Sequence, residues 1–506
     1  MNKKVFDILV IGGGINGVGV ARDAAGRGLS VALCEKDDIA SHTSSASTKL
    51  IHGGLRYLEQ YDFLLVRKAL IEREVLLQAA PHIIWPLRFV IPLGRGSRPS
   101  WLVRLGLFLY DNLGGRRLLP ATRALSRKKS QKLDALKRSY TKAYEYSDCW
   151  VDDARLAVLN AVDAKQRGAD IFTRTQCVAI ERGDDYWTVS LQPDGGEVFE
   201  VLATVVVNAA GPWVDQVANL ASSNASNRAS VRLVKGSHII VPKIYDGDHC
   251  FFFQNPDGRI FFAIPYLEES RTLIGTTDVP VERDVLDDTI ISQQEIEYLC
   301  ESASTYFEKD ILPEHVTATY SGVRPLYDDQ SEDASKVTRD YVLKHDDASG
   351  AAIVSIFGGK ITTYRTLAEH VMQLVARSLP KVGAPWTQSA ALPGGEIENA
   401  DFEAFLTRAY AKYSAFDANF IKRYARLYGT RMDVILKDKQ SLDDLGAQFS
   451  DQLFEAEVSY LMSHEFAQTA EDVLERRTKL GLDMSEEETS RLRDWMLEKR
   501  RETELV

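Results

Sequence analysis

The sequence predicts an α/β protein: a doubly wound domain with a βαβ opening, an antiparallel sheet inserted into it, and an all-helical domain behind it. Three observations carry this. Residues 5–35 read as strand, glycine turn, helix and strand. Residues 231–320 hold run after run of β-branched and aromatic residues (VRLVKGSHIIV, CFFFQ, RIFFAIPY, TLIGTT). Beyond Pro393-Gly394-Gly395 the composition turns to helix formers and charges with no strand signal. At 506 residues the chain is too long for one core, so two or three domains are expected.

Taken in order, residues 5–11 are a short apolar run that ends in Gly12-Gly13-Gly14. A helical pattern follows to about Gly28, and a second apolar run over 29–33 closes at Glu35. Residues 62–80 look like an amphipathic helix, and 95–138 like short helices broken by Gly114-Gly115 and Pro120. A helix over 152–168 leads into strands over 170–173, 176–181, 186–191 and 199–207, which end at Asn208-Ala-Ala-Gly-Pro212. A last strand and helix begin at Ala351. This divides the chain into a discontinuous dinucleotide-binding domain (1–92, 146–230, 320–390), a basic amphipathic segment (93–145), a cap over 231–319 and a helical domain over 391–506.

Composition excludes several classes. With 45% hydrophobic and 26% charged residues the chain is an ordinary globular one, not a disordered one. Its five cysteines are scattered and form no C-x-x-C pair, which argues against a disulfide framework, a zinc ribbon or an iron–sulfur cluster. Asp7 and the glycine turn come too early to leave room for a signal peptide. No stretch approaches the roughly 20 apolar residues that span a bilayer; the best, 101–110, is short and contains Arg104. The expectation is a protein kept on the cytoplasmic side without a transmembrane helix. Net charge is −11, yet Arg88 to Arg138 holds thirteen Lys/Arg against two Asp, which reads as a patch for an anionic surface.

Gly12-x-Gly14-x-x-Gly17 is weak alone, but here it links a strand to a helix and Glu35 ends the next strand. The first glycine permits a tight turn, the second lets backbone approach a pyrophosphate, and the third allows close helix–strand packing. The helix start supplies N–H groups and positive dipole. Glu35 can accept from both ribose hydroxyls and would repel a 2′-phosphate, which disfavours NADP. A second glycine turn, Phe357-Gly358-Gly359-Lys360-Ile361-Thr362-Thr363, again follows a strand and opens a helix. It can hold the electron-rich end of an isoalloxazine, so it favours FAD over NAD. Ser44, Ser45, Ser47, Thr48 and Lys49 would add hydroxyls and a cation near pyrophosphate and ring.

Eight blocks together are similar to one family. They begin at Ile11-Gly-Gly-Gly-Ile-Asn-Gly-Val-Gly19, Thr43-Ser-Ser-Ala-Ser-Thr-Lys-Leu-Ile-His-Gly-Gly-Leu-Arg-Tyr57 and Glu145-Tyr-Ser-Asp-Cys-Trp-Val-Asp-Asp-Ala-Arg155. They continue with Val207-Asn-Ala-Ala-Gly-Pro-Trp213, Lys235-Gly-Ser-His238, Ile274-Gly-Thr-Thr-Asp278, Tyr320-Ser-Gly-Val-Arg-Pro325 and Phe357-Gly-Gly-Lys-Ile-Thr-Thr-Tyr364. In this order they resemble the FAD-dependent glycerol-3-phosphate dehydrogenases of aerobic bacteria, from about residue 5 into the helical domain. The resemblance implies a flavin-binding fold of the glutathione-reductase and amino-acid-oxidase type with non-covalent FAD. It implies oxidation of sn-glycerol 3-phosphate to dihydroxyacetone phosphate, with electrons passed to a membrane quinone. On it, Gly12, Gly14, Asn16, Gly17, Glu35, Ser44, Ser45, Ser47, Thr48, Lys49, Ile51, Val178, Gly211, Trp213, Gly358, Gly359, Lys360 and Thr362 are the expected FAD contacts. The oxygen-using oxidases carry an insertion in the flavin domain, and none is obvious here. The anaerobic enzyme ends in a cysteine-bearing module, whereas no cysteine follows Cys300.

A phosphorylated triol asks for arginines that grip a dianion, and Arg56, Arg324 and Arg339 are the candidates, with Tyr57 beside the first. Alcohol oxidation asks for a base; His238 is preferred, and His52 is the alternative or an orienting residue. Arg324 would aid the developing alkoxide. The residues around 95–138 mix cations with Trp101, Leu105, Phe108 and Leu109 on one helix side, the outline of a shallow interfacial anchor. The expected place is therefore the cytoplasmic face of the inner membrane, peripheral and partly soluble. Nucleic acid is a poor partner, since no binding motif accompanies the cations. The competing readings are an amine or amino-acid oxidase of the same fold, an oxygen-dependent oxidase, and a non-catalytic flavin-binding regulator. Whether the C-terminal helices make a homodimer contact or only cover the core is left open by the sequence.

Overall fold

The computed structural model describes residues 4–94, 98–115, 118–221, 231–267, 270–328 and 340–504. The apolar run Val5–Ile11 is flanked in parallel by Val31–Cys34 and Phe199–Asn208. Asp170–Phe172 and Ala352–Phe357 extend the sheet on either side, also in parallel, and Val342–Asp346 closes one edge antiparallel. A hairpin, Thr175–Arg182 with Trp187–Pro193, hangs from Phe199–Asn208. The helices Ile15–Gly26, Asp153–Gln166 and Tyr364–Val375 pack together against the sheet and share its main core. This is the expected doubly wound α/β domain. Continuous runs of Val, Ile and Leu form its strands because both faces are covered.

The second sheet is larger than residues 231–319 alone would make it. Val231–Pro242, Cys250–Gln254, Ile260–Tyr266 and Arg271–Gly275 form its centre. To these the chain adds Ile84–Leu93, Lys142–Val151, Leu50–Ile51 and Arg123–Ser126 on one side, and Ala318–Tyr327 on the outer flank of Val231–Pro242. Segments placed at 1–92, 146–230 and 320–390 by local pattern thus contribute strands to both sheets. Ile84–Leu93 carries Pro86 and Pro92 and still lies inside the sheet, because on the side of Cys250–Gln254 only Phe89 and Val90 pair. Between these strands the basic segment forms the helix Ser100–Leu113.

Residues beyond 391 build a separate core from the helices Phe402–Lys412, Ala418–Tyr428, Glu455–His464 and Glu486–Glu504. The domain is helical apart from one ribbon, Gln448–Ser450 with Leu453–Phe454. Buried ion pairs weld it to the first domain. Arg155 pairs with Glu465 and donates to the Leu427 carbonyl at 2.8 Å. Arg477 Nη2 donates to Asp38 at 2.8 Å, Arg174 pairs with Asp472 at 2.8 Å and Lys479 with Asp152 at 2.6 Å.

Candidate active site

At the first turn Gly12 has φ 112°, and a Cβ there would stand 2.5 Å from the Ala209 carbonyl oxygen. A Cβ on Gly17 would meet the Gly12 oxygen at 1.9 Å, so glycine lets the helix lie on the strand. The helix starts behind Gly14, and Ser44 Oγ accepts from the Ile15 N–H at 2.9 Å. Glu35 accepts from the N–H groups of Gly13 at 2.6 Å and Asp37 at 2.9 Å. Burial pushes its carboxyl up from the ordinary value, against those two N–H groups. Gly12, Gly14, Glu35, Ser44, Gly211 and Trp213 line one cleft. Its far wall is the strand Thr175–Arg182, in which Cys177 pairs with Leu191 and Ala179 with Ser190. Val178 is the extra residue of a β-bulge, a common device beside a ligand. Lys36 Nζ lies 4.6 Å from the Trp213 ring, and His42 packs edge-on to that ring.

The second turn is left-handed at Gly358 (φ 74°) and Gly359 (φ 106°), between the strand Ala352–Phe357 and the helix start at Ile361–Thr363. Asn16 joins the two turns: its Nδ2 donates to the Gly358 carbonyl at 3.1 Å, while its Oδ1 is buried with no partner among the described residues. Thr362 Oγ1 accepts from the His52 N–H at 3.3 Å, and Gly54 N–H donates to His52 Nδ1 at 3.1 Å. Lys360 Nζ stands 3.9 Å over the Tyr57 ring. Burial lowers the His52 pKa; Asp148 opposes this, and Lys360 and Arg73 add to it.

A third group comes from the second sheet. His238 is 1% exposed; its Nε2 is 3.0 Å from Thr48 Oγ1, its ring stacks on Tyr320 at 4.7 Å, and Nδ1 has no partner among the described residues. Burial drives its pKa well below 6.5, and Arg324 and Lys49 push the same way. Arg324 pairs with Asp278 and donates to Thr276 Oγ1 at 3.2 Å. Gly236 makes this possible, since a Cβ there would strike both Arg324 and Thr276. Arg56 has no ion pair among the described residues and lies near the charge of Arg98.

The side chains of the serine loop have protein partners of their own. Ser47 Oγ donates to Asp153 at 2.7 Å, and Lys49 Nζ is spent on Asp153 at 2.7 Å and the Ser45 carbonyl at 3.0 Å. These side chains brace the loop against the helix Asp153–Gln166. Ser45 Oγ likewise donates to the His42 carbonyl, and the Ile51 side chain is core. Arg339 lies outside the described residues. Thr276, Asp278 and Tyr320 were missed as site residues although each stands in a quoted block. Strand pairing of Tyr320 and Gly275 with His238 is what brings them there.

A dinucleotide cleft at Glu35, a second glycine turn tied to it by an asparagine with an unfilled acceptor, and a histidine–arginine group opposite define a flavin-dependent oxidoreductase. Residues 7–365 match the model of the FAD dependent oxidoreductase family, and residues 385–496 that of the C-terminal domain of alpha-glycerophosphate oxidase. The chain belongs to this family, in the group of the glycerol-3-phosphate dehydrogenases, and its cofactor is FAD. It is 47% identical to the glycerol-3-phosphate dehydrogenase of Pseudomonas aeruginosa, over 97% of this chain and 95% of that one. The aerobic glycerol-3-phosphate dehydrogenase of Escherichia coli K12 is 43% identical over 97% of both. A D-erythritol 1-phosphate dehydrogenase of Brucella abortus is 51% identical, covering 97% and 98%. Among solved structures, the Bacillus halodurans glycerol-3-phosphate dehydrogenase complexed with FAD superposes with a TM-score of 0.76 at 26% identity, over 98% of this chain and 94% of that one.

Proposed function

We propose that the chain oxidises sn-glycerol 3-phosphate at C2 to dihydroxyacetone phosphate and delivers the electrons to a membrane quinone. The observation that carries the reading is a neutral buried histidine, His238, hydrogen-bonded to the flavin-loop residue Thr48 and close to Arg324. FAD supplies the two-electron acceptor. As C2 gives up hydride, the hydroxyl proton passes to His238 at Nε2, the nitrogen that faces the loop. Arg324, oriented by Thr276 and Asp278, stabilises the developing alkoxide. Arg56, which has no ion pair among the described residues, grips the phosphate, with Tyr57 and Lys360 completing that side. Gly358, Gly359 and Thr362 hold the ring end of FAD, and Gly12, Gly14, Gly17, Glu35, Gly211 and Trp213 its adenosine end.

The helix Ser100–Leu113 supports the membrane part. It exposes Trp101 at 68% and Phe108 at 62%, while Leu107 and Tyr110 face inward; Tyr61 and Leu64, on the preceding elements, are exposed as well. Among the described residues no helix is long and apolar enough to cross a membrane, so we place the chain peripherally, held by this face and its neighbouring cations. A second substrate is favoured by the 51% identity with the D-erythritol 1-phosphate dehydrogenase: a four-carbon polyol phosphate. Anaerobic stopped-flow reduction of the flavin by each phosphate decides the substrate. Reoxidation by a short-chain quinone or by oxygen decides the acceptor; fast reoxidation by oxygen overturns the quinone reading.

A further inference from the structure

The strand Val231–Pro242 presents its residues alternately to two faces of the sheet. Gly236 and His238 turn to the site; Lys235 and Ser237 turn to the helix Gln293–Tyr306 behind it. On that far face one carboxylate gathers the strands. Glu295 is 6% exposed, and its Oε1 accepts from Ser237 Oγ and Thr277 Oγ1, each at 2.8 Å. Its Oε2 accepts from the Ser292 N–H at 2.9 Å and Ser292 Oγ at 3.0 Å and pairs with Lys235 at 2.9 Å. The cluster extends sideways, because Ser321 Oγ donates to Ser237 Oγ at 2.8 Å and the Ser237 N–H donates to Thr277 Oγ1 at 2.9 Å.

Each sheet-side member of the cluster has a chain neighbour in the site. Ser237 precedes His238, Thr277 follows Thr276, and Ser321 follows Tyr320. A capping box at the start of the helix needs only the contacts between Glu295 and Ser292. The bonds to Ser237 and Thr277 are surplus to capping, and they tie together the segments that carry the base and the arginine. Lys235 and the hydrogen bonds outweigh burial and hold the Glu295 pKa at about 2, so the cluster keeps one charge state wherever turnover is measured.

We propose that Glu295 is a positioning residue: through Ser237, Thr277 and Ser321 it sets His238, Tyr320 and the Thr276–Arg324 pair relative to one another without touching substrate. The inference rests on the roles proposed for His238 and Arg324. Reacting groups displaced by about an ångström lose up to about a hundredfold in rate, which is the scale on which such a brace acts.

The test uses the FAD-loaded full chain with Thr277→Val, Thr277→Ser, Ser292→Ala and His238→Gln, read by flavin content, Tm, KM and the anaerobic rate of flavin reduction by glycerol 3-phosphate and D-erythritol 1-phosphate. Thr277→Val is expected to slow reduction about tenfold or more with KM little changed. Thr277→Ser restores the hydroxyl and the rate. Ser292→Ala removes a helix-side contact of the same carboxylate, so it lowers Tm but leaves the reduction rate intact. Wild-type reduction in Thr277→Val, or an equal slowing in Ser292→Ala, overturns the inference while a slow His238→Gln leaves the reading of the site standing. If neither phosphate reduces the wild type, or His238→Gln matches it, that reading fails and takes the inference with it.

Discussion

Burial holds the His238 imidazole neutral, with its pKa well below 6.5, first through desolvation and then through Arg324 and Lys49. A base works only above its own pKa, so the acid limb of the kcat/KM profile is expected on the acid side of pH 6.5. His238→Gln should slow flavin reduction by about 10²- to 10⁴-fold and remove that limb; an unchanged profile would mean another base. Arg56→Ala should cost about 1.5–3 kcal/mol in kcat/KM for the phosphorylated substrate, the worth of a charged hydrogen bond. Measured on unphosphorylated glycerol, the same variant should lose almost nothing. The two glycine turns and the place of Glu35 beside the first were legible in the sequence because they follow from backbone geometry. The partner of Lys49 was not: nothing in a serine-rich loop points to Asp153, which lies 104 residues away.

The helix Ser100–Leu113 is the element whose sequence and structure agree most directly. Its spacing puts Trp101, Leu105, Phe108 and Leu109 on one side; the structure exposes the first three and leaves Leu109 part-buried. Each large apolar side chain returned to a lipid interface is worth up to about 1.5–3 kcal/mol. Trp101→Ser with Phe108→Ser should therefore abolish flotation with anionic vesicles, while turnover with a soluble quinone analogue stays near wild type. Equal flotation would remove this helix from the membrane reading. Strands were readable one at a time, but sheet membership was not. Lys142–Val151 shows why: its partner Ile84–Leu93 lies some fifty residues upstream, and nothing in either run names the other. The same holds for Tyr320, which reaches His238 only once Ala318–Tyr327 has paired.

Across the whole molecule, buried charge joins the helical domain to the flavin domain. Glu465→Ala leaves Arg155 buried without its partner, at an expected cost of about 3–5 kcal/mol read as a lower Tm. Replacing both by apolar residues of similar volume should recover most of it. His82 lies at the same junction, against Gly394 and Gly429, and neither ring nitrogen has a partner among the described residues. Burial, with Arg155 and Arg426, pushes its pKa down to about 3. Its folded pKa is below its unfolded one, so the stability it contributes is present above about pH 6.5 and is lost as the pH falls toward 3. His82→Leu should flatten the fall of Tm between pH 7 and pH 5; parallel curves for the two proteins would assign that fall to other groups.

Asn16 donates to a carbonyl 342 residues further along the chain. On a ribosome adding about 5–20 residues per second, that carbonyl emerges roughly 17 to 70 seconds after the asparagine. Throughout that interval the amino-terminal turn is finished but its counterpart does not yet exist. On the site proposed above, a chain cut short before Gly358 has only the first turn and is expected to bind no FAD, which flavin absorbance of the purified truncation checks.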